Sequence, residues 1–160
     1  MNKILSTNQA IEEANKLNKQ DKRIVLAGGC FDILHIGHIT YLDKAKKQGD
    51  YLFVFVESDA SIKQRKGTNR PINTQDDRAH ILAHLTMVDY VIKLPEFTDN
   101  RNYDDLVIQI KPAIIATTAG DSNRSHKERQ AKLVKAKVVD VTDAIQNKST
   151  TKVIEILEEL

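Results

Sequence analysis

Apolar residues come along this chain in short blocks separated by longer mixed stretches. The blocks are RIVLA (23–27), YLFVFV (51–56), YVIKL (90–94), AIIAT (113–117) and KVVDV (137–141). They are β-branched and nearly continuous in apolar character, as suits strands covered on both faces, and that predicts a parallel sheet. The intervening stretches carry helical spacing and stop signals. They predict helices over 39–48, closed by Gly49, over 75–85, opened by Thr74, and over 102–110, stopped by Pro112. Two more are expected over about 126–135 and about 150–159. Ahead of the first strand, Ser6 to Gln9 has the S-x-x-Q form of a capping box, and Ala10, Ile11, Ala14 and Leu17 follow at helical spacing. A helix over about 7–18 is therefore expected within an N-terminal extension, residues 1–22.

Strand and helix alternate, so the pattern predicts an α/β fold: a single Rossmann-like, doubly wound domain with a five-stranded parallel sheet flanked by helices and right-handed crossovers. No repeat, low-complexity tract or Pro/Gly-rich linker divides the chain, and one domain over 1–160 is expected. In such sheets ligands sit beyond the carboxyl ends of the strands, where the strand order reverses. The stretch GGCFDILHIGHITYL (28–42) follows the first strand and falls at that edge.

Composition narrows the class without naming it. The chain has 160 residues, 41% hydrophobic and 29% charged, ordinary for a soluble globular domain. Twenty-four Lys and Arg against twenty-two Asp and Glu leave +2, too little to argue for a nucleic-acid-coating surface. Cys30 is the single cysteine, so no internal disulfide forms and a reducing compartment is the natural reading. The polar N-terminal stretch has no apolar signal core, and no run reaches the roughly 20 residues needed to span a bilayer. A cytoplasmic protein acting away from membranes is expected.

The chemistry concentrates in 28–42. Gly28 and Gly29 carry no Cβ and let a bulky ligand approach the backbone. Asp32 is placed to cap the following turn. From about Gly37 a helix begins whose first amides and dipole favour an anion. His35 and His38, three apart, fall on one side of that turn and can both aim ring N–H groups at the same ligand. Surface side chains and a zinc site with Cys30 are the competing readings. A structural zinc site wants a fourth ligand, and no second Cys/His pair has the spacing to supply one. Strand, Gly-Gly and helix start together favour a cradle for a triphosphate.

The stretch from GGCFDILHIGHITYL through DASIKQRKG resembles the cytidylyltransferase-like nucleotidyltransferases, whose signature is G-x-F-D-x-x-H-x-G-H. Within that superfamily it is most similar to heptose-1-phosphate adenylyltransferase domains, then to glycerol-3-phosphate cytidylyltransferases and archaeal-type FAD synthetases. The resemblance implies that His35 and His38 contact nucleotide phosphates and stabilise the transition state. It implies phosphate neutralisation by Lys66, with Lys63 as a second candidate, and an Arg78 that faces phosphates or acceptor. It places Gly29, Cys30, Phe31, Asp32 and Gly37 in the nucleotide site, with Gly120 and Asp121 beside base and ribose. KSTTKVIE (148–155) resembles the second phosphate-binding motif, in which Ser149, Thr150 and Thr151 open the last helix.

What the resemblance implies is transfer of a nucleoside monophosphate from ATP or CTP to a phosphorylated small molecule, with pyrophosphate released. Mg²⁺ would accompany the triphosphate, with no dedicated metal site in the protein, and a homodimer is implied. Heptose, glycerol and flavin phosphates stay open as acceptors, because ATTAGDS stands where the heptose-type loop reads V-K-G-G-D. A catalytically silent nucleotide-binding module is the alternative of another class. The letters HIGH also occur in class I aminoacyl-tRNA synthetases, but this chain has no room for an anticodon domain and no clear K-M-S-K-S. On the residues alone, Lys63, Arg65 and Lys66 read equally as a solvated charge run, Ser149 to Thr151 as ordinary N-cap residues, and Cys30 as a small loop residue.

Overall fold

The computed structural model describes residues 2–143 and 150–159. Along the chain the elements are β1 (Ile4–Leu5), α1 (Thr7–Lys19), β2 (Ile24–Gly29), α2 (Ile36–Lys46), β3 (Tyr51–Val56) and α3 (Asp59–Lys66). They continue with α4 (Gln75–Ala83), β4 (Tyr90–Lys93), α5 (Asn100–Ile110), β5 (Ile114–Thr118), α6 (Arg124–Val134), β6 (Lys137–Thr142) and α7 (Thr150–Glu158). All strand pairs are parallel, in the order β1-β4-β3-β2-β5-β6. The chain winds outward from β2 through β3 and β4, then returns to β5 on its other side. The order reverses between β2 and β5, and a crevice opens there.

The strands divide their side chains between two cores. Val25, Ala27, Val54, Val56 and Val91 pack with Tyr41, Leu42 and Ala45 of α2 and Ala79 and Leu82 of α4. Ile24, Leu26, Phe53, Phe55 and Ile92 pack with Ala10, Ala14 and Leu17 of α1 and Leu106, Val107 and Ile110 of α5. Alternate residues of one strand thus serve opposite helix layers, as period-two geometry requires. The capping box at Ser6 forms as the sequence predicts: the Ser6 amide donates to Gln9 Oε1 at 2.9 Å, and the Gln9 amide donates back to Ser6 Oγ at 3.3 Å.

The sheet has six strands among the described residues, one more than predicted. The extra strand, β1, lies beside β4 with Ile4 opposite Val91 and Leu5 opposite Ile92. Two residues have no periodicity to read, and the pairing is reinforced by Lys3, whose ammonium donates to the Leu85 and Val88 carbonyls at 3.1 and 2.7 Å. The helix α3 is likewise additional to the predicted set. Ser58 caps it, its hydroxyl accepting from the Ser61 amide at 3.1 Å, and Gly67 at φ +100° ends it. The basic run Lys63, Arg65, Lys66 is the last turn of that helix, where cations meet its negative pole. Among the described residues no helix is long and apolar enough to cross a membrane.

Candidate active site

β2 delivers its last two glycines to the crevice. A Cβ on Gly29 would lie 3.1 Å from the ring of Phe31, so that ring holds the space a side chain would need. Phe31 itself takes φ +49°, turning the chain sharply after β2, and its ring is buried edge-on to His38 with 5.3 Å between centroids. The turn sends Asp32 inward. Its carboxylate, 1% exposed, accepts from Arg70 Nε at 3.0 Å and from the amides of Ile72 and Asn73 at 2.9 Å each. Those donors hold the carboxyl below its ordinary range against the opposing effect of burial. Asp32 is therefore a clamp on the 70–73 loop, a correction to the expectation that it binds nucleotide: its acceptor oxygens face protein donors.

Arg78 is corrected in the same way. It is fully buried, and its guanidinium donates to the carbonyls of Asn73 (3.1 Å), Cys30 (2.6 Å) and Glu57 (2.8 Å) and to Asp59 Oδ1 (2.7 Å). With four of its five N–H groups spent on the chain, Arg78 ties the ends of β2 and β3 together beneath the site and does not face a ligand.

His35 is the N-cap of α2. Its Nδ1 accepts from the Gly37 amide at 3.1 Å, so in the neutral ring the proton sits on Nε2. The Gly37 amide, expected to help receive an anion, is used by this cap. His38 follows one turn on, its ring stacked on His35 with centroids 3.9 Å apart and planes 30° from parallel. Burial lowers the His35 ring below its ordinary value. Burial first, then the charges of His35 and Lys66, bring His38 down to about 4, with the Ile33 carbonyl opposing. Both shifts favour the uncharged ring. Nδ1 of His38 is buried without a hydrogen-bond partner.

The crevice between β2 and β5 is a cavity of about 450 Å³ walled by Gly28, Gly29, His35 and His38 on one side and by Thr118 to Ser122 on the other. Tyr41 ties α2 to β5, its hydroxyl donating to the Ala116 carbonyl at 3.0 Å. Gly120 takes φ +78°, a backbone conformation that side chains disfavour. Asp121 lines the cavity, but its carboxylate accepts from Thr117 Oγ1 (2.8 Å), Lys127 Nζ (2.6 Å) and the Asn123 amide (2.8 Å), and these keep it in the charged form.

A second, larger cavity of about 680 Å³ opens on the other side of the β2 terminus. It is lined by Cys30 and Lys66, by residues that sequence reasoning did not select, notably Glu57, Asn100 and Tyr103, and by His126 of the basic stretch NRSHKERQ (123–130). Burial pushes the Cys30 thiol up, while the charges of Lys66 and Arg78 oppose it. Lys66 therefore lies near both Cys30 and His38. Tyr103 donates to Glu57 Oε2 at 2.9 Å and is pushed up to about 12 by burial and that carboxylate. His126 Nδ1 lies 3.0 Å from Arg129 Nη1, and arginine can only donate, so Nδ1 accepts. The two cavities share Gly28, Gly29, Asp121, Ser122 and Lys127.

At the last helix, Thr150 is buried and its hydroxyl donates to the Ile33 carbonyl at 3.0 Å. That bond docks α7 beside the histidine loop, so the Thr150 hydroxyl is structural, a further correction. Thr151 is exposed, and Ser149 lies outside the described residues.

Residues 26–156 match the Cytidylyltransferase-like family model. The chain is 48% identical over 139 residues to Bifunctional protein HldE of a Nitratiruptor species, covering 87% of this chain and 28% of that protein. With Bifunctional protein HldE of Aliarcobacter butzleri it shares 41% identity, over 99% of this chain and 32% of the relative. It thus spans about a third of the length of these curated relatives. The crystal structure of the lipopolysaccharide core biosynthesis protein from Thermoplasma volcanium superposes with a TM-score of 0.63 at 31% identity, covering 77% of this chain and 97% of that one. A pantoate-beta-alanine ligase from Francisella tularensis shares the fold at 18% identity and a TM-score of 0.61, over 98% of this chain and 76% of that chain. By sequence, fold and the histidine pair at the reversal of the sheet, this chain belongs to the cytidylyltransferase-like family and is a nucleotidyltransferase.

Proposed function

We propose that the smaller cavity takes the nucleoside triphosphate, the larger one a phosphorylated sugar, and that the reaction joins them across Gly28 and Gly29. The observation that carries this is the meeting of two cavities at one glycine edge beside a pair of stacked histidines. A phosphate oxygen of the acceptor attacks the α-phosphorus in line, forming a new P–O bond. The bond from that phosphorus to the α,β-bridging oxygen breaks, and its electron pair leaves with pyrophosphate. No protein nucleophile is required.

The protein's share is positioning and electrostatics. His35 is fixed by its cap so that Nε2–H is its donor, and His38 is packed against it; both present N–H groups to phosphate oxygens without a charge that must first be created. Lys66 adds positive charge from the end of α3. Asp121 and Gly120 border the nucleoside end. Magnesium enters as the counter-ion of the triphosphate, part of the substrate and held by phosphate and water.

The larger cavity supports a polyol phosphate as acceptor: Glu57, Asn100, Tyr103 and His126 offer hydroxyl-binding groups, and Arg65 and Lys66 supply charge for the phosphate. Together with the resemblance to heptose-1-phosphate adenylyltransferase domains, this favours a heptose 1-phosphate over glycerol 3-phosphate or FMN. The test is pyrophosphate release with ATP or CTP against these three acceptors. Release with ATP and heptose 1-phosphate is expected. Binding of nucleotide without release for any acceptor would favour a silent binding module.

A further inference from the structure

We propose that Lys127 is a phosphate-binding residue placed at the seam of the two cavities, where it touches phosphate of both substrates and offsets their mutual repulsion. This rests on the two-substrate reading above. Among the described residues Lys127 is the one lysine or arginine in the wall of the smaller cavity, and it lines the larger cavity as well. It does not come from the strand end that forms the wall. It reaches across from the start of α6, and its side chain is 18% exposed.

Its ammonium donates to Asp121 Oδ2 at 2.6 Å and to Thr117 Oγ1 at 3.1 Å, with a longer contact of 3.4 Å to the Ala116 carbonyl. Two of the three N–H groups are well used and the third weakly so. Asp121, in turn, is held without Lys127, because its carboxylate also accepts from Thr117 Oγ1 and the Asn123 amide. The cation is thus pre-positioned, and a phosphate oxygen is received in place of the long Ala116 contact while the Asp121 pair is kept. A polyphosphate on one side and an acceptor phosphate on the other bring several negative charges to this edge, and a fixed ammonium between them acts on both.

The test compares Lys127→Met, Lys127→Gln and Lys127→Arg with the unaltered full chain in pyrophosphate release, reading KM for nucleotide and acceptor separately from kcat, with melting temperature as a control. Binding of inorganic pyrophosphate and of the magnesium nucleotide is titrated by calorimetry in parallel. Loss of the charge is expected to lower kcat/KM for both substrates by about 10²-fold, the scale of one removed phosphate donor. Pyrophosphate binding should weaken in step, and Lys127→Arg should recover most of the loss. Lys127→Gln keeps a donor toward Asp121, so it serves if the methionine variant does not fold. Unchanged kinetic constants and pyrophosphate affinity, with only a lowered melting temperature, would overturn the proposal and leave Lys127 a strap. Should the unaltered chain transfer to no acceptor, the two-substrate reading fails; the pyrophosphate titration then still decides whether Lys127 binds phosphate.

Discussion

The rings of His35 and His38 stack with their centroids 3.9 Å apart. Both are partly withdrawn from water, and a proton on His35 would repel one on His38, so both rings are shifted toward the uncharged form.

That relationship fixes a pH dependence. His38 titrates near 4 when folded, against 6.5 for an ordinary histidine. Between those values the unfolded chain binds a proton that the folded chain does not. Stability therefore rises with pH across this window and is lost as pH falls from about 6.5 toward 4. Depression of His35 acts in the same direction. Urea unfolding at several pH values should show this slope, and His38→Gln should flatten it. An equal slope in the variant would place the titration elsewhere.

Asp32 and Arg70 make a second prediction. Asp32→Asn removes the charge that faces Arg70 and two loop amides, leaving the guanidinium, whose Nη2 already lacks a partner, buried and unpaired. The variant should lose about 3 kcal/mol in denaturant unfolding. Arg70→Met should cost less, because Asp32 keeps its backbone donors. The reverse order would mean that the guanidinium, rather than the carboxylate, organises the loop.

Arg78→Lys should destabilise the chain by about 3 kcal/mol, since one ammonium cannot serve the Cys30, Glu57 and Asn73 carbonyls together. Binding of pyrophosphate by the folded fraction should survive the change. A lost phosphate affinity with unaltered stability would return Arg78 to the ligand-contacting role that the family resemblance implies.

Gly29→Ala should cost about 1–3 kcal/mol by pressing a methyl group on the Phe31 ring, 3.1 Å away. Pairing it with Phe31→Leu should recover part of that loss in thermal melts. If the double variant merely sums the two penalties, the ring is not what excludes a side chain at residue 29.

The sheet and the histidine pair were legible because each is written locally. Residues 24–29 are apolar, β-branched and end on two glycines, and H-x-G-H follows within one turn. β1 was not legible, since a two-residue strand has no period and is made by its pairing with Val91 and Ile92. α3 hid behind its charges: the Ser58 cap and the terminal Gly67 were readable, but three basic residues in its last turn look like a solvated run. Asp32, Arg78 and Thr150 were placed in the family's site by position, and their roles as clamps depend on carbonyls and amides up to 117 residues away. The larger cavity is assembled from the ends of several elements. His126 lies in the basic stretch NRSHKERQ (123–130), which reads equally as acceptor-binding or as a solvated helix start, so its place in the cavity wall was not separable from its neighbours.

The most direct test of the account is single-turnover pyrophosphate release by His38→Ala beside the unaltered chain, with binding of the magnesium nucleotide measured on the same samples. The account predicts that release falls by about 10²-fold or more while the nucleotide still binds, because the imidazole acts mainly on the charge that develops in the transition state. Turnover close to that of the unaltered chain would contradict it.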